Sequence, residues 1–219
     1  MHQFNVKLFR GTHYPQLKRN NCVVGNSLGH DLMVKNGKFL SPKNTTSVEG
    51  LGPCLQFFLW TPVKVFNSHS APELESVPDV RKRILENAVK LRDDIKNKTR
   101  EIIAFITGGM EYDPKLPITS KCNDCINDVY EALQEEGIDT VVIALQKGNG
   151  LKNRINTYAR ENTITCQGGP IRNIPKLDKN TKKEDLIEAL EEHFDFVELP
   201  PNVKVEVVDE LPAKTQHLL

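Results

Sequence analysis

Two short apolar stretches joined by a tight turn constrain the fold of this chain more than any other feature. They are Leu55 to Trp60 and Val63 to Phe66, with Thr61-Pro62 between them. Aromatic and β-branched runs on either side of a proline-containing turn predict a two-stranded ribbon. Such a ribbon returns the chain to its starting point, so we expect Cys54, before the first strand, and His69, after the second, to lie close together. A thiol near an imidazole is the arrangement that a cysteine nucleophile requires.

The middle of the chain alternates between amphipathic helices and apolar strands. Apolar residues three or four apart predict a helix over about 79–97, and a second helix is expected from a cap at Ser120 to about Glu136. Continuous apolar runs at 101–107 and 139–145 predict strands covered by these helices. Two further strands are predicted at about 154–159 and 163–166. This order indicates a mixed α/β (α+β) fold.

The two ends of the chain carry further strand patterns. Short β-like runs occur at 4–9, 22–24 and 32–34, and Asn36-Gly37 predicts a hairpin turn. Near the other end, a capping box at Thr181 predicts a short helix to about His193, and strands are predicted at 196–199 and 203–208. We therefore expect an N-terminal β-rich extension over 1–45, packed on a core over 46–170, and a C-terminal helix and strand extension over 171–219.

The charge balance and the cysteine count limit the classes of partner. Lysine plus arginine and aspartate plus glutamate both number 29, so no overall field favours nucleic acid or an anionic membrane, and neither is expected as a partner. The chain has no run of eighteen apolar residues and no apolar signal peptide at its start, which predicts a soluble protein. Five cysteines without regular disulfide spacing favour a reducing compartment and leave at least one thiol free.

The residues before Cys54 predict a tight backbone turn. In Gly50-Leu51-Gly52-Pro53, successive amide hydrogens can point into one space, which is the geometry of an oxyanion hole, although Pro53 itself has no N–H. The pattern leaves a plainer alternative open. A single cysteine is commonly a small buried apolar residue, and a histidine between two serines is commonly an ordinary loop residue.

A second candidate site is the cysteine pair in Cys122-Asn123-Asp124-Cys125, near the start of a predicted helix. Cysteines at this spacing suit redox exchange or zinc binding. Zinc needs two more ligands, and nucleobase deaminases supply one from a His-x-Glu motif. Here His69 is followed by Glu73, four residues on. A zinc-dependent deaminase or a zinc-stabilised binding protein is therefore the alternative function, and simple packing of both cysteines on a helix is the structural one.

With these elements in order, the chain resembles the CheD-type receptor glutamine deamidases and the catalytic domains of cytotoxic necrotizing factors, which share one fold. Gly50-Leu51-Gly52-Pro53-Cys54 is similar to the Gly-Leu-Gly-Ser-Cys of that family, and Pro72 follows His69 closely as in the family. The later elements also agree in order: a long helix, a strand ending in Gly108-Gly109, a helix, a strand, the turn Gly148-Asn149-Gly150 and a strand bearing Arg154. The resemblance covers about residues 46–168.

The resemblance implies a layered β-sandwich with helices packed on the outside, and a protein-glutamine deamidase that needs no metal or cofactor. Cys54 is the implied nucleophile and His69 the implied base, with Gly50, Leu51, Gly52 and Pro53 as the substrate and oxyanion loop. CheD-type enzymes carry a threonine six residues before the cysteine, where this chain has Val48. In the toxin branch a main-chain carbonyl orients the histidine, so the backbone of Val48, with Ser47 beside it, completes the expected site.

The resemblance also implies a partner and a setting. The partner is a protein that carries a target glutamine, and a primary amine in place of water gives transglutamination at the same residues. The segments outside 46–168 favour the toxin or effector branch. We expect a monomer that acts in the cytoplasm, or one that is secreted or injected into the cytosol of a host cell.

Overall fold

The computed structural model describes residues 2–10, 22–25, 38–43, 45–94, 101–110, 112–138, 141–146, 154–168, 180–192, 194–196 and 201–209. These residues form a mixed α/β fold, as the sequence predicts. The described strands are β1 (Phe4–Phe9), β2 (Cys22–Gly25), β3 (Lys38–Leu40), β4 (Thr45–Leu51), β5 (Leu55–Trp60), β6 (Val65–Ser70), β7 (Ile103–Gly108), β8 (Val141–Gln146), β9 (Ile155–Arg160), β10 (Thr163–Gly168), β11 (Phe194–Phe196) and β12 (Val203–Val208). The described helices are α1 (Val77–Asp93), α2 (Pro117–Glu135) and α3 (Lys183–Glu191).

The strands form two sheets that lie face to face. The outer sheet has the order β12-β1-β10-β9-β4-β2, and the central sheet has the order β11-β8-β7-β5-β6-β3. Buried side chains from both sheets make one apolar core between them. A second apolar core lies between the opposite face of the central sheet and helices α1 and α2. The described part of the chain is therefore layered as sheet, sheet and helices.

Strand β5 lies in the middle of the central sheet, and all six of its residues are buried. Phe58 and Trp60 pack in the core between the sheets, whereas Leu55, Phe57 and Leu59 pack against the helices. Successive side chains of a strand point to opposite faces. A strand covered on both faces carries apolar residues on both faces, which explains the apolar run that the sequence shows here, interrupted only by Gln56.

The two large helices follow their predicted apolar stripes. In α1, Val80, Ile84, Ala88 and Leu91 are buried, and the hydroxyl of Ser76 caps the helix by accepting the N–H of Asp79 at 3.3 Å. Helix α2 begins at Pro117, so the predicted start at Ser120 is wrong. Proline fits the first turn of a helix, where its missing N–H costs nothing, so the helix starts at Pro117, three residues before the serine.

A β-bulge ends strand β4 and directs the chain towards Cys54. Val48 pairs with Thr157 and Leu51 pairs with Ile155, so β4 carries one residue more than β9 over this interval. Gly50 has a φ of +73°, and its N–H donates to Asn156 Oδ1 at 2.8 Å. The extra residue turns Leu51 to the same apolar core as Val48. The chain then crosses from the outer sheet to the central sheet.

Strand pairing runs across the boundaries expected at residues 45 and 170. Strand β1 pairs in parallel with both β10 and β12, and β3 borders β6. The segments at both ends therefore supply strands to the sheets, and the division into three parts stays a prediction. The predicted strand at 32–34 and the turns at Asn36-Gly37 and Gly148-Asn149-Gly150 lie outside the described residues. Among the described helices, none has the length and apolar character needed to cross a bilayer.

The end of β7 fits closely against the backbone of Cys54. Gly108 has a φ of +93°, and a Cβ atom added there would lie 2.2 Å from the carbonyl oxygen of Cys54. The next residue, Gly109, donates its N–H to the same oxygen at 3.0 Å. Only a residue without a side chain allows this approach, so Gly108 sets the position of Cys54.

Replacement of Gly108 by alanine is expected to lower the free energy of unfolding by more than about 2 kcal/mol. A side chain at positive φ costs about 1–2 kcal/mol by itself, and the clash with the Cys54 carbonyl adds to this cost. Gly137→Ala is the matched control, because Gly137 has a φ of +73° and an added Cβ would meet nothing within 4 Å. Urea denaturation of the two variants measures the difference. Equal losses would contradict the close approach.

Candidate functional site

Cys54 and His69 lie on one face of the central sheet, at the same end of it. Cys54 is half-buried just before β5 and packs against the core between the sheets. Gln56 pairs directly with His69 in the β5–β6 ladder. Alternate residues share a face, so Cys54 and His69 are diagonal neighbours, and such pairs lie about 7–8 Å apart. Strand β6 ends at Ser70, later than predicted, so His69 lies inside the strand and is 2% exposed.

A row of buried polar side chains surrounds His69 within the core between the sheets. Its members are at most 2% exposed, and they are Gln56, Asn67, His69, Thr107 and Thr157. Gln56 Nε2 donates to Asn67 Oδ1 at 3.0 Å, and Thr157 Oγ1 donates to Gln56 Oε1 at 2.5 Å. Thr157 belongs to the outer sheet, so these hydrogen bonds connect the two sheets beside the histidine. We call this set the polar row.

Sequence reasoning missed the polar row apart from His69. A signal for Gln56 exists, because it stands at a core position of β5 where Phe58 and Trp60 occupy the equivalent places. A polar residue in a stripe of large apolar ones indicates a buried hydrogen bond. Its partner Thr157 has no comparable signal, because threonine is common in strands and the pairing joins residues far apart in the sequence.

Val48 and Ser47 of β4, which are expected to support the histidine, have main-chain atoms close to the polar row. The carbonyl oxygen of Val48 lies 3.5 Å from Thr157 Oγ1, and Gln56 Oε1 lies nearer to the same hydroxyl, at 2.5 Å. Ser47 pairs with Tyr158 across the sheet, and its side chain lies outside the described part of the structure. The orientation of His69 by the Val48 carbonyl stays a prediction.

The loop before Cys54 is held from both sides. Leu51 and Gly52 are buried, and the Pro53 carbonyl accepts a hydrogen bond from Cys122 Sγ at 3.0 Å. The amide hydrogen of Gly50 is engaged by Asn156 in the bulge. Pro53 has no N–H, and the N–H of Gly50 is already bonded in the bulge. The N–H groups of Gly52 and Cys54 are therefore the candidate donors next to the thiol.

The second cysteine pair packs inside the protein. Cys122 and Cys125 are both 0% exposed on α2, and burial raises the pKa of each thiol to about 12. Burial therefore disfavours the thiolate form of both side chains in the metal-free protein. Among the described residues, no three histidine, cysteine, aspartate or glutamate side chains come together as metal ligands. The described residues therefore offer the pair no further zinc ligand.

The Cys54 thiol lies in a mildly unfavourable environment for a thiolate. Burial raises the pKa of Cys54 above its ordinary value, and the carboxylates of Glu73 and Glu75 raise it further, whereas the guanidinium of Arg154 lowers it. Desolvation and like charge both disfavour the charged form. The resting thiol is therefore protonated at neutral pH, and a base must remove its proton before it can act as a nucleophile.

An ion pair fixes the turn that follows His69. The Arg83 guanidinium of α1 pairs with Glu75, and both side chains are only 10% exposed. Arg83 Nη2 also donates to Ser70 Oγ at 2.6 Å, and Glu75 Oε2 accepts the N–H of Ala71 at 3.1 Å. Two contacts of Arg83 thus join α1 to the chain after the histidine, and the Glu75–Ala71 bond closes the turn itself. A buried pair with additional hydrogen bonds holds its geometry well.

Neither a scan against models of protein families nor a search of curated proteins found a match to this chain. The described residues nevertheless form a chemically distinct arrangement. A half-buried thiol stands at the end of a sheet, a buried histidine lies diagonal to it on the same face, and hydrogen-bonded amides and hydroxyls continue behind the histidine. This arrangement is suited to nucleophilic attack by sulfur with proton transfer through an imidazole.

Removal of the nearby charges is expected to change the reactivity of Cys54 in opposite directions. Glu73→Gln removes a charge that raises the Cys54 pKa, so the thiolate fraction at neutral pH increases and iodoacetamide labels Cys54 about twofold faster. Arg154→Gln removes a charge that lowers this pKa, so labelling slows by a similar factor. Both side chains are exposed, which keeps the effects small. Mass spectrometry of the Cys54 peptide measures the rates, and shifts in the same direction would exclude this electrostatic account.

Loss of the hydrogen bond between the sheets is expected to destabilise the protein without altering its shape. Thr157→Val keeps the branched side chain but leaves Gln56 Oε1 buried without its donor, which costs about 1–3 kcal/mol. Thr165→Val is the control, since Thr165 is also a buried strand threonine but lies on the opposite face of the outer sheet. Urea denaturation is the measurement, and equal losses in the two variants would contradict a special role for Thr157.

Proposed function

We propose that this chain is a cysteine-dependent protein-glutamine deamidase with a CheD- and necrotizing-factor-like fold. The observation that carries the proposal is the β5–β6 register, which puts Cys54 and His69 on one face at one end of the central sheet. Two sheets with helices on one side support the fold assignment. The half-buried position of the thiol supports a substrate that reaches it through a long side chain, as glutamine does.

The first half of the reaction forms a thioester. Because the Cys54 thiol is protonated at rest, His69 takes its proton as the sulfur attacks the carboxamide carbon of the glutamine. The carbonyl oxygen becomes an oxyanion, and the amides of Gly52 and Cys54 are the nearest candidates to stabilise it. Ammonia leaves only when protonated, so His69 returns its proton to the departing nitrogen.

The second half of the reaction releases glutamate. His69 removes a proton from water, the water oxygen attacks the thioester carbon, and the carbon–sulfur bond breaks. The proton returns to the sulfur, which restores the Cys54 thiol. One amide is thus converted to one carboxylate and one ammonia with no redox change. A primary amine in place of water forms an isopeptide bond, which is transglutamination.

The polar row gives His69 a fixed surrounding in this proposal. Gln56 lies directly opposite the histidine and is held at both ends of its amide by Asn67 and Thr157. Side chains locked by hydrogen bonds preserve the geometry that proton transfer needs. The biological setting follows from the same proposal: the enzyme acts as a monomer on a partner protein, in the cytoplasm or as a toxin or effector in the cytosol of a host cell.

Substitution of either central residue is expected to abolish deamidation. Cys54→Ser and His69→Ala should each reduce ammonia release from a cell lysate by at least about 100-fold, because general base catalysis alone contributes this much. Mass spectrometry should then find glutamine-to-glutamate changes at the same sites only with the wild-type enzyme. Cys125→Ala and His2→Ala are the matched controls, as they change the same residue types on α2 and next to β1. Full activity in either central variant would refute the assignment.

A further inference from the structure

Two large apolar side chains are exposed at the end of the sheets where Cys54 lies. Leu74 is 77% exposed in the turn after β6, and Tyr112 is 58% exposed in the loop after β7. Leu55 pairs with both Ser70 and Gly108, the last residues of these strands. Neighbouring strands lie about 4.8 Å apart, so the ends of β6 and β7 are roughly 10 Å apart, with the start of β5 between them. The turn of Leu74 and the loop of Tyr112 therefore leave the sheet on either side of the strand that Cys54 precedes.

The loop that carries Tyr112 is joined to the residue before the thiol. Cys122 Sγ donates to the carbonyl of Pro53, next to Cys54, and accepts the N–H of Met110, two residues before Tyr112. The charge of Glu73, beside Leu74, acts on both the Cys54 and Cys122 thiols. One buried side chain thus connects the loop of Cys54 with the loop of Tyr112, and the turn of Leu74 lies within electrostatic range of it.

Both apolar side chains project from loops that hydrogen bonds hold in place. The turn of Leu74 is anchored by the Arg83–Glu75 pair and by the bond from the Ala71 N–H to Glu75. The loop of Tyr112 is anchored one residue later, where the N–H of Asp113 donates to Thr119 Oγ1 at 3.0 Å. Fixed loops that present exposed apolar groups are typical of surfaces that bind another protein, because little order is lost on binding.

Large exposed apolar side chains are rare on the rest of the described surface, so the position of Leu74 and Tyr112 is informative. Among the described residues, three large apolar side chains are exposed, and the third, Val63, is 41% exposed. Val63 lies in the β5–β6 turn, at the opposite end of these strands. The two most exposed of these apolar groups therefore lie in loops at the end of the sheet that carries the candidate nucleophile. Glu73, next to Leu74 in the sequence, adds a negative charge that acts on the thiol.

We infer that Leu74 and Tyr112 form a docking surface for the protein segment that carries the target glutamine. The segment is extended, with apolar residues on both sides of the glutamine and a lysine or arginine close enough to pair with Glu73. The inference rests on the proposed function. It adds a substrate class: glutamines in apolar and basic surroundings are preferred over those in small or acidic ones.

Two synthetic peptides test the inference. One has leucine and phenylalanine flanking a glutamine with an adjacent lysine, and the other has glycine and serine flanks with glutamate in place of lysine. Ammonia release by the wild-type enzyme is expected to favour the first peptide by at least about tenfold in kcat/KM, since each apolar contact is worth about tenfold or more. Leu74→Ser and Tyr112→Ser should each lower kcat/KM for the first peptide by about 5- to 10-fold through KM, with kcat unchanged.

Val63→Ser is the matched control and should retain the wild-type kcat/KM for both peptides. An unchanged rate of iodoacetamide labelling at Cys54 shows that Leu74→Ser and Tyr112→Ser keep the site intact. Equal turnover of the two peptides, or equal effects of the Val63 and Leu74 substitutions, would overturn the docking surface and leave the deamidase proposal standing.

Binding to the Cys54→Ser variant, measured by fluorescence anisotropy with labelled peptides, separates docking from chemistry. Tighter binding of the apolar and basic peptide, weakened by Leu74→Ser, supports the docking surface. If the wild-type protein then releases no ammonia, the docking surface stands and the deamidase proposal fails. Equal binding of the two peptides refutes the docking surface whatever the activity.

Discussion

The antiparallel hydrogen bonding of β5 to both β6 and β7 is the interaction on which the rest of the structure depends. It pairs Leu55 with Ser70 and with Gly108, so three strand ends meet at one point. The side chains of a strand alternate between faces, and a slip of β6 by one residue would turn His69 towards the helices. The same slip would put Phe66 into the wrong core. Apolar packing on both faces therefore fixes the register that the site requires.

The polar row places a second demand on this arrangement. Buried amides and hydroxyls cost about 1–3 kcal/mol each when they lack hydrogen-bond partners. The partner of Gln56 Oε1 comes from the outer sheet, through Thr157. The two sheets must then approach in one relative position for this bond to form, which apolar contacts alone do not require. The bulge in β4 contributes to the same fit, because it turns both Val48 and Leu51 into the core between the sheets.

Local patterns in the sequence were sufficient to predict that two large helices and a ribbon exist and that Cys54 and His69 share one end of the ribbon, although the second strand of the ribbon ends four residues later than predicted. These features depend on residues close in sequence, whose periodicity reports directly on burial. The start of α2 was missed because two rules competed, and the proline at Pro117 prevailed over the serine at Ser120. The link from Gln56 to Thr157 could not be predicted, since it depends on how two sheets meet. The position of β1 between β10 and β12 could not be predicted either, because it too depends on pairing between residues far apart in the sequence.

That position of β1 has a consequence for the order in which the chain folds. Val6 pairs with Ile164 and with Val205, so β1 stays without partners until most of the chain has been synthesised. At a ribosomal rate of roughly 5–20 residues per second, the wait is on the order of ten seconds. Strands β5 to β8 and the two large helices are synthesised before β10 and β12. During this interval the face of β5 that carries Gln56, Phe58 and Trp60 lacks the cover that β1 and β10 supply, so apolar surface stays exposed in the nascent chain.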